Sequence, residues 1–460
     1  MAGGELDLRD IQAQFSGFDR HWPFGRFYYC RYRSAAAGQR LLQHLLPLAH
    51  VLDVDAGNDP AVNVAFTHAG LRALGLDQTV LGSFPPDFRQ GMRDRAPLNG
   101  DDGLDAPERW DQTWRGAPVH AWIGLYARNL EQCEQWCAAF EAWVASEGDI
   151  EIAGQQPVLR FYADPAVPMH IEDAASNATR AYVLEHFGFR DGVSNPVIAG
   201  MPPEDPAGGG RLSEKGAWSP LAAGEFLLGH VDGDGEMPLA PQPEVLARNG
   251  SFMVLRKLEQ DVDAFREYCA DTAKQSGVSA DDIACRMIGR RRNGTPLVDE
   301  STLNAFSYAD DPDGRRCPLG AHARRANPRD TMGYGSVLVD RHRMLRNGIT
   351  YGDPVPTGRS QLEVNGDAGQ GLMFLAFMAS FTRQFEFVMQ QWIDFGNDLN
   401  QGNDRDPLCG RQLPGGRMTI PGDRERPTVF CNNLRQFVRL RGGDYFFLPG
   451  IAAVEALARG

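Results

Sequence analysis

Several features that mark particular classes of protein are scarce or missing in this 460-residue sequence. Its eight cysteines form no Cys-x-x-Cys pair, which argues against a zinc ribbon or a disulfide framework. Lys and Arg number 46 against 60 Asp and Glu, and the resulting net charge of −14 disfavours nucleic acid and anionic membrane surfaces as partners. No strand-associated GxGxxG or GxxxxGK[ST] motif is present, so nucleotide-dependent chemistry has no visible anchor.

Long apolar segments and export signals are also missing. The longest uncharged stretch, Ala368–Thr382, has 15 residues, fewer than the roughly 20 that a transmembrane helix needs. The N-terminus, MAGGELDLRDIQ, has no basic and no apolar signal region, so we expect a cytoplasmic protein. Cys133 and Cys137 lie on one apolar helical stripe, and we expect reduced thiols in the core.

Strand-like and helix-like segments occur in two similar rounds, separated by a Pro- and Gly-rich stretch at Met201–Gly224. The order of the first round, β-α-β-β-α-β, is typical of a ferredoxin-like α+β unit. Its predicted strands are Phe27–Tyr32, His50–Asp55, Val119–Tyr126 and Val158–Tyr162, and its helices are Ala35–Leu46 and Leu130–Val144. In the second round we predict strands at Glu225–His230, Ser251–Arg256, Leu372–Phe377 and Tyr445–Leu448, and helices at Glu259–Lys274, after the capping box Ser279–Asp282, and at Phe381–Trp392.

The segment GFRDGVSNP, Gly188–Pro196, is the first candidate for a functional site. Its Asp, Gly, Asn and Pro residues are turn formers, so a plain surface turn explains the composition. The functional interpretation is that two glycines hold Asp191 rigidly close to a ligand and make its carboxylate available for proton transfer.

The second candidate is LGAHARRANPRD, Leu319–Asp330, where His322 is followed by several cationic side chains. Most histidines simply pack or lie at the surface. With Arg324, Arg325, Asn327 and Arg329 beside it, this imidazole is suited to be an axial iron ligand next to groups that neutralise porphyrin propionates.

Two further segments, MLRNGITYG (Met344–Gly352) and GLMFLAF (Gly371–Phe377), follow in the chain. The first contains Arg346 and by itself indicates a basic loop. In the second, Leu372 and Phe374 would face the same side of a strand and form an apolar wall, although a core strand has the same pattern.

These four segments, in this order, resemble the dye-decolorizing peroxidase family, whose defining GxxDG motif is matched by GFRDG at Gly188–Gly192. The resemblance extends along nearly the whole chain. The length and the motifs are similar to those of the longer members of the family rather than the compact bacterial ones. It implies an α+β fold of two ferredoxin-like domains with antiparallel sheets, which we place at residues 1–215 and 216–460. The second domain is expected to hold most of a heme b group.

By the same resemblance, the family's site residues fall on particular positions of this sequence. His322 corresponds to the proximal iron ligand, Asp191 to the distal acid-base carboxylate and Arg346 to the distal arginine. Heme contacts are expected from Asn327, Arg329, Leu372 and Phe374. One departure is Asn347, which stands where the family often has a second arginine. The expected reactants are hydrogen peroxide and small aromatic electron donors, including dyes and phenols.

Two other functions remain open at this point. A heme carrier or iron-releasing protein on the same fold would handle heme without needing an acid-base pair, and a heme-free α+β binding protein would leave His322 structural. The carboxylate that receives the hydrogen bond of His322 is not evident from the sequence, although Asp394 and Asp398 are candidates. Trp392 and Tyr351 are hypothetical relays for electrons from bulky dyes, and a homodimer is compatible with the acidic surface.

Overall fold

One antiparallel sheet of nine strands runs through the computed structural model, which describes residues 6–16, 22–52, 60–162, 182–203, 205–352, 369–424 and 426–460. Its strands are β1 (Phe24–Tyr32), β2 (Ala61–Phe66), β3 (Ala121–Ala127), β4 (Ile150–Leu159), β9 (Ser251–Gln260), β10 (Leu345–Arg346), β11 (Ile349–Tyr351), β12 (Gly371–Met378) and β15 (Val438–Leu448). Three two-stranded ladders pair β5 (Phe161–Tyr162) with β6 (Val183–Leu184), β7 (Arg211–Leu212) with β8 (Trp218–Ser219), and β13 (Arg417–Ile420) with β14 (Val429–Asn432).

Helices cover the sheet or connect its strands. The longer ones are α1 (Ala35–Leu45), α6 (Leu130–Glu147), α8 (Val262–Ser276), α9 (Ala280–Ile288) and α12 (Ile451–Arg459). Short helices are α2 (His68–Ala73), α3 (Gln78–Ser83), α4 (Pro86–Gln90), α5 (Gln112–Arg115), α7 (Glu244–Ala247), α10 (His322–Ala326) and α11 (Val337–Asp340). None of the helices in these described ranges is long and apolar enough to cross a membrane.

The first half of the sheet has the strand order β4-β1-β3-β2, which is the ferredoxin-like arrangement expected from the sequence. Helix α1 begins where the Ser34 side chain accepts a hydrogen bond from the Ala37 backbone, and α6 begins in the same way at Asn129. The buried stripe of α6 contains both Cys133 and Cys137, as predicted. All eight cysteines of the chain are free thiols in the structure.

The second half repeats this arrangement as β15-β9-β12-β10, with β11 also pairing with β12. Helix α8 follows β9, and two consecutive π-helical segments, Thr382–Glu386 and Val388–Ile393, follow β12. The predicted helix at Phe381–Trp392 therefore exists with π rather than α geometry. The halves join where Phe447 of β15 pairs with Phe66 of β2. The boundary between residues 215 and 216 stays a prediction.

The predicted strand His50–Asp55 is wrong within the described residues. Residues 53–55 lie outside them, and Val51 forms only an isolated bridge with Gln12. The strand that pairs with both β3 and β15 is β2, which is buried along its whole length. Burial of both faces favours an apolar run, whereas the alternating pattern of residues 50–55 is typical of a half-buried strand.

The predicted strand Glu225–His230 is also wrong. These residues form a 3-10 turn and a second turn at Gly229, where φ is +79°. The Glu225 carboxylate binds Arg383 at 2.8 Å, and Phe226, Leu227 and Leu228 are fully buried. An apolar run of this length enters a core equally well as a turn, because burial does not require a strand.

Candidate active site

His322 is the first residue of α10, and its ring is fixed by a buried carboxylate. Its Nδ1 lies 2.9 Å from Oδ2 of Asp406, whose side chain is fully buried. The other oxygen of Asp406 accepts hydrogen bonds from the backbone N–H groups of Leu408, at 2.9 Å, and Cys409, at 2.8 Å. With Nδ1 engaged in this way, Nε2 is the ring nitrogen left to bind a metal.

The carboxylate that contacts His322 is therefore neither of the two considered from the sequence. Oδ1 of Asp394 accepts a hydrogen bond from the Arg411 backbone at 2.7 Å, and the charge of Asp398 interacts with Arg325. Asp406 lies 84 residues from His322 along the chain, in the segment DPLCG, which carries no motif that points to an imidazole.

The electrostatics of this pair agree with an anionic Asp406. Burial raises the pKa of the Asp406 carboxyl, but the His322 ring and the backbone N–H groups outweigh this effect and hold the pKa below its usual range. Conversely, burial lowers the pKa of His322, but the carboxylate of Asp406 raises it above the ordinary value. The pair therefore gives the imidazole a strong hydrogen-bond acceptor behind its ligating nitrogen.

Two of the arginines that follow His322 have structural partners. Arg324 is fully buried and donates to Oδ2 of Asp311 at 3.1 Å, and Arg325 donates to the backbone oxygen of Trp392 at 2.9 Å. Both side chains hold α10 against neighbouring segments. The neutralisation of porphyrin carboxylates by these two residues stays a prediction.

Arg346 and the predicted apolar wall share one face of the sheet. Arg346 of β10 pairs directly with Ala376 of β12, and residues at alternate positions of β12 point to the same side. Leu372 and Phe374 are at such positions and are partly exposed, whereas Met373 and Leu375 between them are fully buried. The structure thus places an apolar surface beside a guanidinium.

Asp191 lies in the turn of the GFRDG segment, close to Arg346. Gly188 and Gly192 adopt φ values of +88° and +74°, which glycine tolerates without steric cost. The Asp191 backbone donates to the carbonyl of Val183 at 3.0 Å, and its Oδ1 accepts from the Gly192 backbone at 2.7 Å. Arg346 reaches this turn, since its Nη2 donates to the Val193 backbone oxygen at 2.8 Å. Burial lowers the pKa of Arg346, and the negative charge of Asp191 opposes that shift.

Glu185 is a carboxyl in this region that the sequence did not single out. It accepts hydrogen bonds from the Gln260 side chain at 2.6 Å and from the backbones of Phe187, at 2.8 Å, and Phe189, at 2.9 Å. Burial raises its pKa to about 7, against these hydrogen bonds. The negative charge of Glu185 also contributes to raising the pKa of His322.

Arg329 and Asn327 lie at another edge of the same region. Arg329 is nearly fully buried, and its guanidinium donates to the backbone oxygen of Phe306 at 3.0 Å and to Oγ of Ser194 at 2.9 Å. Oδ1 of Asn327 is buried and has no hydrogen-bond partner among the described residues. Arg290 and Arg343, which the sequence analysis missed because they resemble basic surface loops, reach the same turn at Ser194.

Asn347 does not contribute to this face. Its side-chain amide donates to the backbone oxygens of Gln14, at 3.1 Å, and Phe15, at 2.6 Å. It fixes the N-terminal segment instead of standing in for a second arginine.

The chemistry of these donors fits an iron porphyrin. An imidazole with a free Nε2 suits the iron, partly exposed Leu372 and Phe374 suit the flat apolar ring, and the buried arginines at Ser194 suit its carboxylates. Asp191 and Arg346 add a carboxyl group that can exchange a proton and a cation that can stabilise negative charge.

Comparisons with known proteins place the chain as a whole in one family. The family model "DyP dimeric alpha+beta barrel domain" matches residues 55–152, and the model "Dyp-type peroxidase, C-terminal" matches residues 235–404. Peroxidase 2 of Mycetinis scorodonius is 28% identical over 487 residues, covering 98% of this chain and 87% of that protein. A multifunctional dye peroxidase of an Amycolatopsis species is 32% identical over 295 residues, 60% of this chain and 61% of that protein.

A solved structure supports the fold independently. The DyP-type peroxidase of Auricularia auricula-judae has a TM-score of 0.78 with this chain at 23% sequence identity. The match covers 99% of this chain and all of the other, so the two share their fold along the whole length.

Proposed function

This chain belongs to the dye-decolorizing peroxidase family of heme enzymes and is a peroxidase of that type, and from this premise we propose that it holds heme b on His322 and cleaves hydrogen peroxide with Asp191 and Arg346. One peroxide, two electrons and two protons give two molecules of water. Two small aromatic donors, such as phenols or dyes, each supply one of these electrons.

A bound heme would supply the iron to which peroxide binds. It would also supply the two electrons that break the O–O bond of the peroxide. The protein's own contribution begins with Asp191, whose Oδ2 has no hydrogen-bond partner in the described parts of the chain. This oxygen takes a proton from one peroxide oxygen and returns it to the departing one. The guanidinium of Arg346 stabilises the negative charge that develops there.

The orientation of Arg346 is fixed while most of its guanidinium stays available to bind a ligand. Nη2 donates to the backbone oxygen of Val193 at 2.8 Å. The Asn195 side-chain amide donates to the backbone oxygen of Arg346 and accepts from its backbone N–H. A donor fixed before the reaction needs no reorganisation when charge develops, which makes it more effective than a mobile one.

The observation that carries this proposal is the interaction between Asp191 and Arg346 next to an imidazole whose Nδ1 is already bound. Support comes from Arg346 Nη2, which donates at 2.8 Å to the backbone oxygen of Val193, two residues after Asp191, and from the effect of the Arg346 charge, which opposes the rise in the pKa of His322. A carrier or iron-releasing protein has no need of that pair, and a heme-free binding protein has no need of the His322–Asp406 contact.

Absorption spectra before and after one equivalent of peroxide test the proposal. The purified protein should show a Soret band that changes on mixing with peroxide, and His322→Ala should lose or displace this band. His230→Ala is the control, because His230 bonds Asn249 and no residue of the site. A Soret band that peroxide leaves unchanged would favour a carrier, and an unaltered band in His322→Ala would remove the ligand assignment.

A further inference from the structure

The three residues that follow the GFRDG segment, Val193–Asn195, collect hydrogen bonds from four arginines. Nη2 atoms of Arg290 and Arg329 donate to Oγ of Ser194 at 2.7 and 2.9 Å, Nη2 of Arg343 donates to the Ser194 backbone oxygen at 3.1 Å, and Nη2 of Arg346 donates to the Val193 backbone oxygen at 2.8 Å. These arginines come from three separate parts of the second half of the chain, so the turn is where those parts meet.

The Ser194 hydroxyl uses its full hydrogen-bonding capacity in this arrangement. It accepts from two guanidiniums and donates to Oδ1 of Asn304 at 2.9 Å, which fills both lone pairs and the single proton of a hydroxyl. Its backbone has φ of +60°, a region in which a β-branched residue is strained. Ser194 thus combines a small side chain, a hydroxyl and a left-handed backbone at one position.

The charge around this turn is not balanced by hydrogen-bonded carboxylates. Arg290, Arg329 and Arg343 are each at least nine-tenths buried, and in the described ranges none of them forms an ion pair within 4 Å. Burial lowers the pKa of Arg329 to about 9 and those of Arg290 and Arg343 to about 10, which reflects the cost of removing these cations from water.

Two of the carboxylates whose charges reach the cluster are bonded to other groups. Asp340 binds Arg211 at 3.0 Å and the Ser336 hydroxyl at 2.9 Å. Asp330 binds the Ser307 hydroxyl and the Tyr308 backbone. The third, Asp191, is the acid-base group beside Arg346. Buried cations are stabilised by an anionic partner, and these arginines therefore suit a ligand with carboxylates of its own.

We propose that Ser194 is a positioning residue that joins the two functions of this region. Its hydroxyl sets Arg290 and Arg329 side by side as a site for the heme carboxylates, and the turn that it anchors fixes the distal Arg346. This inference rests on the proposed function and adds a link between two parts of the site. Carboxylates bound at Arg290 and Arg329 stabilise the turn at Val193–Asn195, and this turn holds Arg346 in place.

Comparing the affinities for heme and for its dimethyl ester separates this role from a general structural one. The iron protoporphyrin IX dimethyl ester has the same ring but no free carboxylate. Wild-type apoprotein should bind heme on the order of 10²-fold more tightly than the ester, since charge-assisted hydrogen bonds contribute about 1.5–3 kcal/mol each. Ser194→Gly keeps the left-handed backbone and removes the hydroxyl. It should reduce that preference to a few-fold, and Arg290→Met should do the same.

The matched control is Ser251→Ala, which removes a buried hydroxyl that contacts only backbone oxygens. It should leave the preference for heme unchanged. If Ser194→Gly weakens the binding of heme and of the ester equally, or weakens the binding of neither, Ser194 is merely structural and the inference is overturned. Should Ser194→Gly fail to fold, equal affinities of the wild type for heme and ester, or an unaltered preference in Arg290→Met, would overturn it.

Fluoride binding to the ferric, heme-loaded protein tests the link to Arg346, because a bound fluoride accepts hydrogen bonds from a nearby guanidinium. Ser194→Gly should weaken fluoride binding on the order of tenfold, and so should loading the wild type with the ester. Unchanged fluoride affinity in both would overturn the link. A wild-type protein that takes up neither porphyrin would instead refute the proposed function, which distinguishes that failure from this one.

Discussion

Replacing Asp406 by asparagine changes one charge behind His322 and has consequences that the geometry makes specific. The side chain keeps its size in a fully buried position, where Oδ1 accepts from the backbones of Leu408 and Cys409. If the asparagine oxygen keeps those two hydrogen bonds, its NH₂ group faces Nδ1 of His322. Nδ1 must then accept, and the ring proton moves to Nε2, which is the wrong tautomer for a metal ligand.

The alternative orientation of the asparagine has its own cost. Turning the amide so that its oxygen faces His322 places the NH₂ group against two backbone N–H groups. Leaving such buried donors unpaired costs about 1–3 kcal/mol. Either orientation therefore weakens the hold on the iron, and we expect a loss of 10- to 100-fold in heme affinity, typical when a partner behind a metal ligand is removed.

Transfer of heme to an excess of apomyoglobin measures this loss, and the ferric–ferrous reduction potential provides a second readout. Asp406→Asn should release heme faster, and its potential should rise because an anionic partner no longer stabilises the ferric state. Asp394→Asn and Asp398→Asn are the matched controls, since neither carboxylate contacts the ring in the structure. Wild-type retention and potential in Asp406→Asn, or equal losses in Asp398→Asn, would refute the reasoning.

Three other variants test separate parts of the site. In stopped-flow mixing, Asp191→Asn should slow the peroxide-induced spectral change by roughly 10²–10⁴-fold, and Arg346→Leu should slow it by about 10²–10³-fold. If Asp191→Asn reacts at the wild-type rate while Arg346→Leu is inert, Arg346 contributes more to peroxide cleavage than Asp191. Burial raises the pKa of Glu185 from 4.5 to about 7, so the folded state holds a proton that the unfolded chain releases between these values. Stability should therefore fall by up to about 3 kcal/mol as pH rises through this window, and Glu185→Gln should abolish that fall in urea unfolding; parallel pH profiles would contradict it. Trp392→Phe should slow turnover of a bulky dye and spare a small donor, because Trp392 is buried against α10 through Arg325; equal effects on both would exclude a relay.

Most of the candidate site residues could be predicted from local motifs, because the residue types in these motifs are specific. The turn around Asp191 needs its glycines, His322 begins a short helix, and the strand with Leu372 and Phe374 shows its faces in its pattern. Asp406 could not be found in this way, because its contact with His322 depends on how distant segments fold together. A single sequence gives no distance between residues 84 positions apart.

The different surroundings of similar arginines and the wrongly predicted strands share one physical cause. Arg324 and Arg290 look alike in the sequence, yet the first pairs with Asp311 in the core and the second reaches Ser194. The alternating residues at 50–55 suit a half-buried strand, but β2, which lies between β3 and β15, is buried on both faces. In both cases tertiary surroundings decide between local patterns of equal quality.

The junction between Phe66 and Phe447 has a consequence for association between copies of the chain. Strand β15 lies between β9 and β2, pairing with β9 along its length and with β2 only at Phe447–Phe66, so without β15 the facing edges of β9 and β2 would be open. Such unpaired edges are templates for association with other chains. The first half has its four strands β4-β1-β3-β2 without β15, whereas the second half is a strand short until β15 pairs with β9, so separating β15 from the sheet should expose an edge in each half and favour association with other chains.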